Sequence, residues 1–575
     1  MPDALARGFR LGRVEVRPSE SSLIVEGDAV HIEPKVMQVL LALVSAAPNL
    51  VRREDLVAQV WPRGYVTDDA LNRCISSLRH ALGDDARSPE FILTVPRKGY
   101  RLAQVATTDA PASEGLLVLP FQDLSAGRED IVADALTELL IARLSIALSQ
   151  PVISRTTAMT FKGASREVGS ISRQLGVRWL VEGSVMQLGG RVQIVVQLID
   201  GLSDTHRWAE TWTREMGDVL TVLNEVSHLV AVQVRSELSA REPCPAPPRA
   251  LPADLLREYL HGVQLNSKRT HAALRQAMGC FERVLEARPG HAPALSGMAA
   301  SYFLLAHYGG LPPAEGFEEC KRLSHAALEL DPGLHEARLH LAATNFFHDW
   351  DFALAERRVR EALDGNSNLE MAWLVLANLE QVKGRPESAQ NCIDRALEID
   401  PLNPGLLMNA GDHFILQRRY AEAIPVLLKA VEIEPAFRPA WLRLSLAHAF
   451  GGAPEPARQC LDRARELQGE DGAYYEYSAL AAGQSGESAL AREAATRLEN
   501  LQGEQPPVAP WSLARAWAAA GDAERALDHL ETALATRSSS MPFLAVTPVF
   551  DGLRQNPRID PIMREAGLVR TATKP

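Results

Sequence analysis

The sequence lacks an apolar run long enough to cross a membrane. Its longest apolar stretches, residues 36–47 and 139–148, are interrupted by Gln38 and Arg143, whereas a membrane helix needs about 20 largely apolar residues. The first residues, MPDALARGFRLGRVEV, lack the apolar centre of a signal peptide. These features predict a soluble, cytoplasmic protein.

Cysteines are also scarce and scattered. None belongs to a CxxC pair, and none has a histidine at a spacing typical of zinc sites. We therefore expect reduced, buried thiols and no metal. The six are Cys74, Cys244, Cys280, Cys320, Cys392 and Cys460.

Catalytic signatures are missing as well. The segment LSAGRED has one glycine and no phosphate-binding pattern. The carboxylates of Asp123, Glu138 and Glu182 are not spaced as an acid–base pair. We expect no enzymatic activity and no cofactor.

Charge is distributed unevenly along the 575 residues, which are too many for a single core. The net charge is −12. Residues 1–105 carry fourteen Lys and Arg against thirteen Asp and Glu, about +1, so the remainder carries about −13. The pattern separates an N-terminal region that can bind an anion from an acidic body.

The N-terminal region has the pattern of a winged helix-turn-helix. Residues 9–32 alternate apolar and polar side chains, as half-exposed strands do. Helices are predicted from Pro34 to about residue 46, from Arg53 to Trp61, and from Asp68 to Leu82 before Gly83. The last segment, FILTVPRKGYRL, reads as two short strands around a turn.

The third helix carries the candidate DNA-binding residues. An apolar arc on one side predicts its buried face, and the opposite arc is polar or basic. Such a face suits the major groove, and the basic hairpin turn suits phosphates. The alternative is that these cations are ordinary solvent-exposed charges on a helix and a turn. The candidates are Asn72, Arg73, Ser76, Ser77, Arg79, His80, Arg97 and Lys98.

Two motifs, LNRCISSLRHALGDD and FILTVPRKGYRL, resemble the effector domain of OmpR-type regulators, and within it a CadC-like branch. The resemblance covers residues 8–103. It implies that Arg73, Ser76, Ser77 and His80 face bases, and it places backbone contacts at Arg79, Arg97 and Lys98. Several relatives carry arginines where this chain has Ser76 and Ser77, so their base preferences do not transfer.

The middle of the chain predicts a small α/β domain. LLVLPF at 116–121 reads as a strand, an amphipathic helix follows from Ile131 to Leu148, and a second short strand is expected at 151–154. Three strands between residues 177 and 215 and a helix from about Val219 complete an open sheet. Residues 115–235 resemble the TolB-like N-terminal fold, which implies a role in connecting, dimerising or sensing.

A 34-residue period begins in the C-terminal half. Large residues recur at 339, 373, 407 and 441, and alanines recur at 355, 389, 423 and 457. This period is typical of tetratricopeptide (TPR) repeats, whose small residues lie where paired helices cross. About eight hairpins are predicted, four of them firmly, followed by a C-terminal cap. Trp373 and Trp441 occupy packing positions, and the array predicts a groove for a protein or peptide partner.

The predicted architecture is multidomain: an α+β winged helix at 1–105, a small α/β sheet domain at 115–240, and an all-α TPR solenoid at 252–570. The leading hypothesis is a one-component transcriptional regulator that binds promoter DNA, with a possible homodimer because paired half-sites are common. The alternative is an interaction scaffold with a non-regulatory winged helix. A signalling enzyme would need a catalytic constellation that the sequence does not display.

Overall fold

The computed structural model of the protein describes residues 9–11, 14–18, 21–25, 28–46, 51–61, 68–85, 89, 91–95, 98–102, 113–125, 131–163, 167–188, 191–215, 219–236, 251–501 and 508–568. Within these ranges, no helix is both long enough and apolar enough to cross a bilayer.

The N-terminal region contains two small antiparallel sheets and three helices. In chain order its elements are β1 (Phe9–Leu11), β2 (Val14–Arg17), β3 (Ser22–Val25), β4 (Asp28–His31), α1 (Pro34–Ala46), β5 (Val51–Arg52), α2 (Arg53–Val60), α3 (Asp68–Leu82), β6 (Ile92–Val95) and β7 (Gly99–Leu102). The strands follow the orders β1-β2-β3-β4 and β5-β7-β6. The α+β winged helix expected from the sequence is confirmed.

The apolar arc of α3 faces the core of this region. Leu71, Ile75, Leu78 and Leu82 are all buried, together with Leu40 of α1. The helix ends because Gly83 adopts a left-handed conformation with φ of 68°, which a residue without a side chain reaches at little cost. The buried arc fixes which face of α3 remains outside.

The middle region contains a five-stranded sheet and four helices. Its elements are β8 (Ser113–Val118), β9 (Gln122–Asp123), α4 (Ile131–Ala147), α5 (Arg155–Met159), α6 (Val168–Leu175), β10 (Val177–Leu188), β11 (Arg191–Asp200), β12 (Thr205–Glu215) and α7 (Val219–Ser236). The strands follow the order β12-β11-β10-β8, and β9 pairs in parallel with β10. The α/β sheet is confirmed, and the TolB-like assignment stays a prediction.

One element of the middle region differs from the expectation. The strand predicted at 151–154 is reduced to a single bridge between Leu116 and Val152. The Ser154 side chain accepts a hydrogen bond from Thr157 N and caps α5, so the chain turns into a helix before a strand can extend.

The C-terminal region is an array of eight helical hairpins. Its helices are α8 (Ala253–Ser267), α9 (His271–Ala287), α10 (Ala292–His307), α11 (Pro313–Leu330), α12 (His335–Thr344), α13 (Phe352–Gly365), α14 (Glu370–Val382), α15 (Pro386–Ile399), α16 (Pro404–Leu416), α17 (Tyr420–Ile433), α18 (Arg438–Phe450), α19 (Pro454–Gln468), α20 (Gly472–Gln484), α21 (Ser488–Asn500), α22 (Pro510–Ala519) and α23 (Ala523–Ala535). A π-helical turn, Asn345–Asp349, extends α12. The predicted TPR-like solenoid is confirmed.

The periodic residues of the array pack as the sequence predicted. The recurring alanines 355, 389, 423 and 457 are at most 1% exposed, which lets paired helices approach closely. Trp373 and Trp441 are partly buried in the apolar clusters. Each donates its indole N–H to a backbone oxygen six residues earlier, at 2.8 and 3.0 Å. They are packing residues.

Residues 537–553, the return segment, fold back from the last hairpin onto earlier repeats. Arg537 donates from Nη1 to His348 O at 3.1 Å and stacks over the Trp350 ring. Phe543 contacts Phe346, with ring centroids 5.8 Å apart. Behind the return segment, α24 (Ile559–Glu565) packs against the last hairpin. Residues 537–568 therefore pack on the last hairpin and also reach across the array.

The α/β domain is fastened to the array by buried polar side chains. Asn368 accepts from Val152 N at 2.9 Å and donates to Ser145 O and Leu148 O at 2.9 and 3.1 Å. Thr157 donates from Oγ1 to Asp400 Oδ1 at 2.8 Å, and both side chains are fully buried. Buried hydrogen-bonded groups are costly to separate, so these contacts fix the domain on the helix ends.

Candidate nucleic-acid interface

The outer face of α3 is polar, basic and exposed. Asn72, Arg73, Ser76, Ser77 and His80 are all exposed. They alternate with the buried leucines because a helix repeats every 3.6 residues. The predicted base-facing residues therefore share one accessible face, where an approaching groove can reach them. Their contacts with DNA stay a prediction.

Asn72 is held in place by the wing. Its Oδ1 accepts from Arg53 Nη2 at 2.7 Å and from the Tyr100 hydroxyl at 3.3 Å. Arg53 also donates from Nη1 to the Tyr100 hydroxyl at 2.7 Å. One arginine at the start of α2 thus joins the exposed helix face to β7, and its charge lies beside that face.

Arg79 holds the wing to α3. Its Nη2 donates to Ile92 O at 2.8 Å and to Thr94 Oγ1 at 2.9 Å. Its Nε lies 3.5 Å from Asp84 Oδ2, and the Arg79 side chain is only 15% exposed. These contacts occupy Arg79 inside the domain. They indicate that Arg79 positions the wing, and the phosphate contact expected from the sequence stays a prediction.

Asp84 completes this junction just after α3. Its two carboxylate oxygens accept from the backbone N–H groups of Phe91 and Ile92, each at 3.0 Å. Charged acceptors make strong hydrogen bonds in a buried setting. The start of β6 is thereby fixed against the end of the exposed helix.

The hairpin between β6 and β7 carries Lys98 at its turn. Lys98 is exposed, and its backbone N–H donates to Val95 O at 3.0 Å. Gly99 follows, and a side chain there would place Cβ 2.0 Å from Val51 O. The turn can therefore present Lys98 only because glycine follows it. Arg97, also predicted as a contact, lies outside the described residues.

Sequence reasoning missed Arg53 and Asp84 as parts of the site. Arg53 was assigned only as the start of a helix, and its partners lie 19 and 47 residues away. Asp84 resembles an ordinary charge after a helix end. No pattern in the sequence around Asp84 distinguishes a buried junction from a solvated loop.

One carboxylate and histidine cluster in the described part of the chain has metal-ligand geometry. Glu318, His348 and Asp349 bring ligand atoms within 4.8 Å of one another. Lys321 Nζ lies 2.7 Å from Glu318 and 3.2 Å from Asp349. One ammonium already pairs with both carboxylates, so we interpret the cluster as an ion-pair network.

Comparisons with known proteins agree with the N-terminal geometry. Residues 27–102 match the family model described as "Transcriptional regulatory protein, C terminal". The transcriptional activator CadC of Escherichia coli is 34% identical over 94 residues, which are 16% of this chain and 18% of CadC. The family match covers the three helices, the exposed face of α3 and the wing.

Two relatives match more of the chain. Transcriptional regulator HilA of Salmonella typhimurium is 23% identical over 390 residues, covering 66% of this chain and 69% of HilA. A protein named putative adenylate cyclase 3 of Rhizobium meliloti is 28% identical over 304 residues, covering 51% of this chain. The chain spans 43% of that relative's length.

The matched residues, the buried arc of α3 and the hairpin beside it agree with one another. The N-terminal domain is an OmpR-type winged helix, the DNA-binding domain of transcriptional regulators.

Proposed function

We propose that the protein is a one-component, sequence-specific transcriptional regulator. The observation that carries the proposal is the exposed polar face of α3 beside the exposed Lys98 of the wing. A helix in the major groove reads base edges, while a cation on a neighbouring loop holds a phosphate. Similarity to HilA and CadC, both named as regulators, supports the same role.

The α/β domain and the helical array supply the regulation in this proposal, through partner binding or self-association. Helical solenoids present extended surfaces to proteins and peptides. The buried contacts at Asn368 and Asp400 would carry a change in the array directly to the α/β domain. A homodimer on paired half-sites fits the winged-helix mode of binding. A regulator must reach promoter DNA, so a cytoplasmic location is part of the proposal.

Selection from a random oligonucleotide pool with the full chain tests DNA recognition. A single preferred motif is expected, and Arg73→Ala or Ser77→Ala should change it because these residues lie on the exposed face. Arg395→Ala, an exposed site on the array, is the matched control and should return the wild-type motif. An unenriched pool would contradict the proposal, and an unchanged motif would remove the substituted residue from the base-reading set.

Lys98 has its own test. Lys98→Ala should weaken binding to every DNA sequence and flatten the dependence of log affinity on log salt by about one unit, since one phosphate contact is lost. Fluorescence anisotropy across a salt series measures the slope. Parallel slopes for wild type and variant would place Lys98 away from the phosphates.

The scaffold alternative and the enzyme alternative are separated by two further assays. A scaffold would leave no discrete sites in genome-wide footprinting, whereas a regulator would. We propose that the chain has no cyclase activity. Incubating the purified chain with ATP and Mg²⁺ and finding cyclic nucleotide would overturn that part of the proposal.

A further inference from the structure

The inner face of the helical array contains a cavity of about 240 Å³. First helices of consecutive hairpins supply one wall, including Asn378, His413, Arg443 and Arg515. The return segment supplies the other wall through Ser539, Phe543 and Pro548 among its residues. A groove that would otherwise be open is therefore partly closed by the chain's own C-terminal part.

Two arginines lie on either side of one buried tyrosine in this cavity. The Tyr477 ring is 5.2 Å from the guanidinium of Arg443 and 5.4 Å from that of Arg515. Arg443 donates from Nε to Asp412 Oδ2 at 3.2 Å, and Arg515 pairs through Nη1 with Glu476. The two ion pairs balance the charge and leave further guanidinium donors for another acceptor.

Three buried polar atoms of the cavity have no hydrogen-bond partner among the described residues. They are Arg515 Nε, His413 Nδ1 and His307 Nδ1, and the His413 side chain is 3% exposed. His413 Nε2 lies 3.0 Å from Asn378 Oδ1, which can only accept, so Nε2 carries the proton. Nδ1 of the neutral ring is then an acceptor without a donor. Buried groups left unpaired in this way cost free energy unless a ligand satisfies them.

We propose that this cavity binds a small carboxylic acid that carries an amino or hydroxyl group next to its carboxylate. The carboxylate accepts from Arg443 and Arg515, which form planar bidentate pairs with such groups. The neighbouring amino or hydroxyl group donates to His413 Nδ1. Phe347, Tyr477 and Phe543 surround the remaining carbon skeleton.

The size of the cavity and the position of the return segment favour a small compound over a peptide. Ligand pockets for drug-sized compounds commonly measure about 300–1,000 Å³, so this cavity holds a smaller molecule. The return segment lies where an extended peptide would follow the inner face. Ligand binding here is measured without DNA, so the inference stands apart from the proposed function.

A matched ligand series tests the proposal on the full chain. Thermal unfolding and calorimetry are run with L-phenylalanine, L-3-phenyllactate, 3-phenylpropionate and L-phenylalaninamide, and with the smaller series L-serine, L-lactate and propionate. In at least one series, the amino or hydroxy acid should raise the melting temperature, since a ligand of the native state stabilises it. The plain acid should bind about tenfold more weakly, and the amide not measurably. The amino-acid and hydroxy-acid arms identify which donor the site takes.

Three variants locate the binding. Arg515→Gln combined with Glu476→Gln removes the Arg515 guanidinium and its paired carboxylate together, so the net charge of the cavity does not change. Arg443→Lys keeps the positive charge but replaces the planar guanidinium with an ammonium group. Both should weaken binding about tenfold or more. Arg395→Gln with Glu398→Gln, an exposed ion pair on α15, is the control and should bind as wild type does. If the double variant at Arg515 unfolds, Arg443→Lys decides.

Several outcomes overturn the proposal. They are a failure of every acid in both series to raise the melting temperature, equal binding of phenylalanine and its amide, and wild-type affinity in Arg443→Lys. Selective DNA binding together with any of these results leaves the proposed function intact and removes only the cavity ligand.

Discussion

The geometry of the winged helix depends on individual residues whose space or contacts allow few substitutions. Gly99 is the clearest example, because its backbone lies against Val51 and leaves no room for a side chain. Arg79 and Asp84 are a second example, because both side chains form hydrogen bonds with backbone groups of the wing. At this scale the position of the exposed face depends on residues whose contacts lie within the domain.

Gly99→Ala should destabilise the N-terminal domain and weaken DNA binding. The new Cβ would meet Val51 O at 2.0 Å, and forced overpacking costs about 1–3 kcal/mol. Thermal unfolding and DNA affinity of the full chain measure the effect. Gly552→Ala is the control, since a Cβ there has nothing within 4 Å. Equal stability of both variants would show that the β5–β7 contact relaxes freely.

Arg79→Ala should lower stability and leave the salt dependence of DNA binding nearly unchanged. The substitution removes one cation beside the buried Asp84 carboxylate and one hydrogen bond to the Ile92 carbonyl, a loss of about 1–3 kcal/mol. Urea unfolding and salt-series anisotropy separate the two effects. A slope flattened by about one unit at unchanged stability would return Arg79 to the phosphate contacts.

His413 should make the array sensitive to acid. Burial lowers the pKa of its imidazole to about 4, below the value of about 6.5 in an unfolded chain. As the pH falls from 6.5 towards 4, the unfolded state binds a proton that the native state does not. Stability is therefore full above pH 6.5 and is lost in this window, by about 1.4 kcal/mol per pH unit at most.

A comparison of wild type with His413→Gln isolates this effect. Burial raises the pKa of Glu370 to about 7, which acts in the opposite direction, and the comparison cancels it because both proteins contain Glu370. The stability advantage of wild type in urea unfolding should shrink as the pH falls through the window. A constant difference would mean that His413 is protonated in the folded protein.

Elements with a strong period were predictable, and elements set by distant contacts were not. The leucines of α3 and the alanines of the repeats mark their helices, because a buried stripe must recur with the helical turn. The strand expected at 151–154 became one bridge and a capped helix, since Val152 and Thr157 bond to Asn368 and Asp400 of the array. No local pattern encodes partners more than 200 residues away.

The same division holds for the candidate site. Sequence reasoning identified the exposed face of α3, where periodicity alone decides which residues point outward. It could not assign Arg53 or the role of Arg79, because arginine looks the same in sequence whether it pairs with a wing or with a phosphate. The cavity of the array depends on how eight hairpins curve and where the C-terminus returns, which no single repeat specifies.

The hydrogen bonds of Asn368 should be the main fastening of the α/β domain. Asn368→Ala removes three of them, leaving buried backbone groups of Val152, Ser145 and Leu148 unpaired, a cost of about 2–4 kcal/mol. We expect faster proteolysis of the α/β domain at an unchanged rate for the array. Asn391→Ala, exposed on α15, should behave as wild type. Unchanged proteolysis in Asn368→Ala would show that the remaining contacts, including the hydrogen bond of Thr157 with Asp400, are enough to hold the domain.

At the scale of the whole molecule, the return segment joins parts of the array that are far apart in sequence. Arg418 and Asp551 share two hydrogen bonds of 2.7 Å, but exposed ion pairs contribute little. Phe543 in its apolar cluster supplies the stronger contact. The segment is thus held by the burial of several apolar side chains, of which Phe543 contacts the earlier repeats and Met541 and Phe550 pack on the last hairpin.

Phe543→Ala should release the return segment. Loss of a partly buried phenylalanine costs about 2–4 kcal/mol, and we expect a lower urea midpoint together with new protease cleavage between residues 537 and 553. Leu490→Ala, at a side chain 54% exposed, is the control and should change neither. Protection of the segment in Phe543→Ala would assign the closure to its other buried side chains, such as Met541 and Phe550, together with Arg537.

The return of the C-terminus has a consequence for how such an array can change. In an open solenoid each repeat touches only its neighbours, so repeats unfold in sections and copies can be gained or lost. Here Arg537 reaches His348 across 189 positions, which ties the ends of a long stretch together. Deleting or duplicating one 34-residue unit within this stretch would move Phe543 away from Phe346 and break the contact. The contact therefore constrains the number of repeats between its two ends, and we expect those repeats to melt as one cooperative unit.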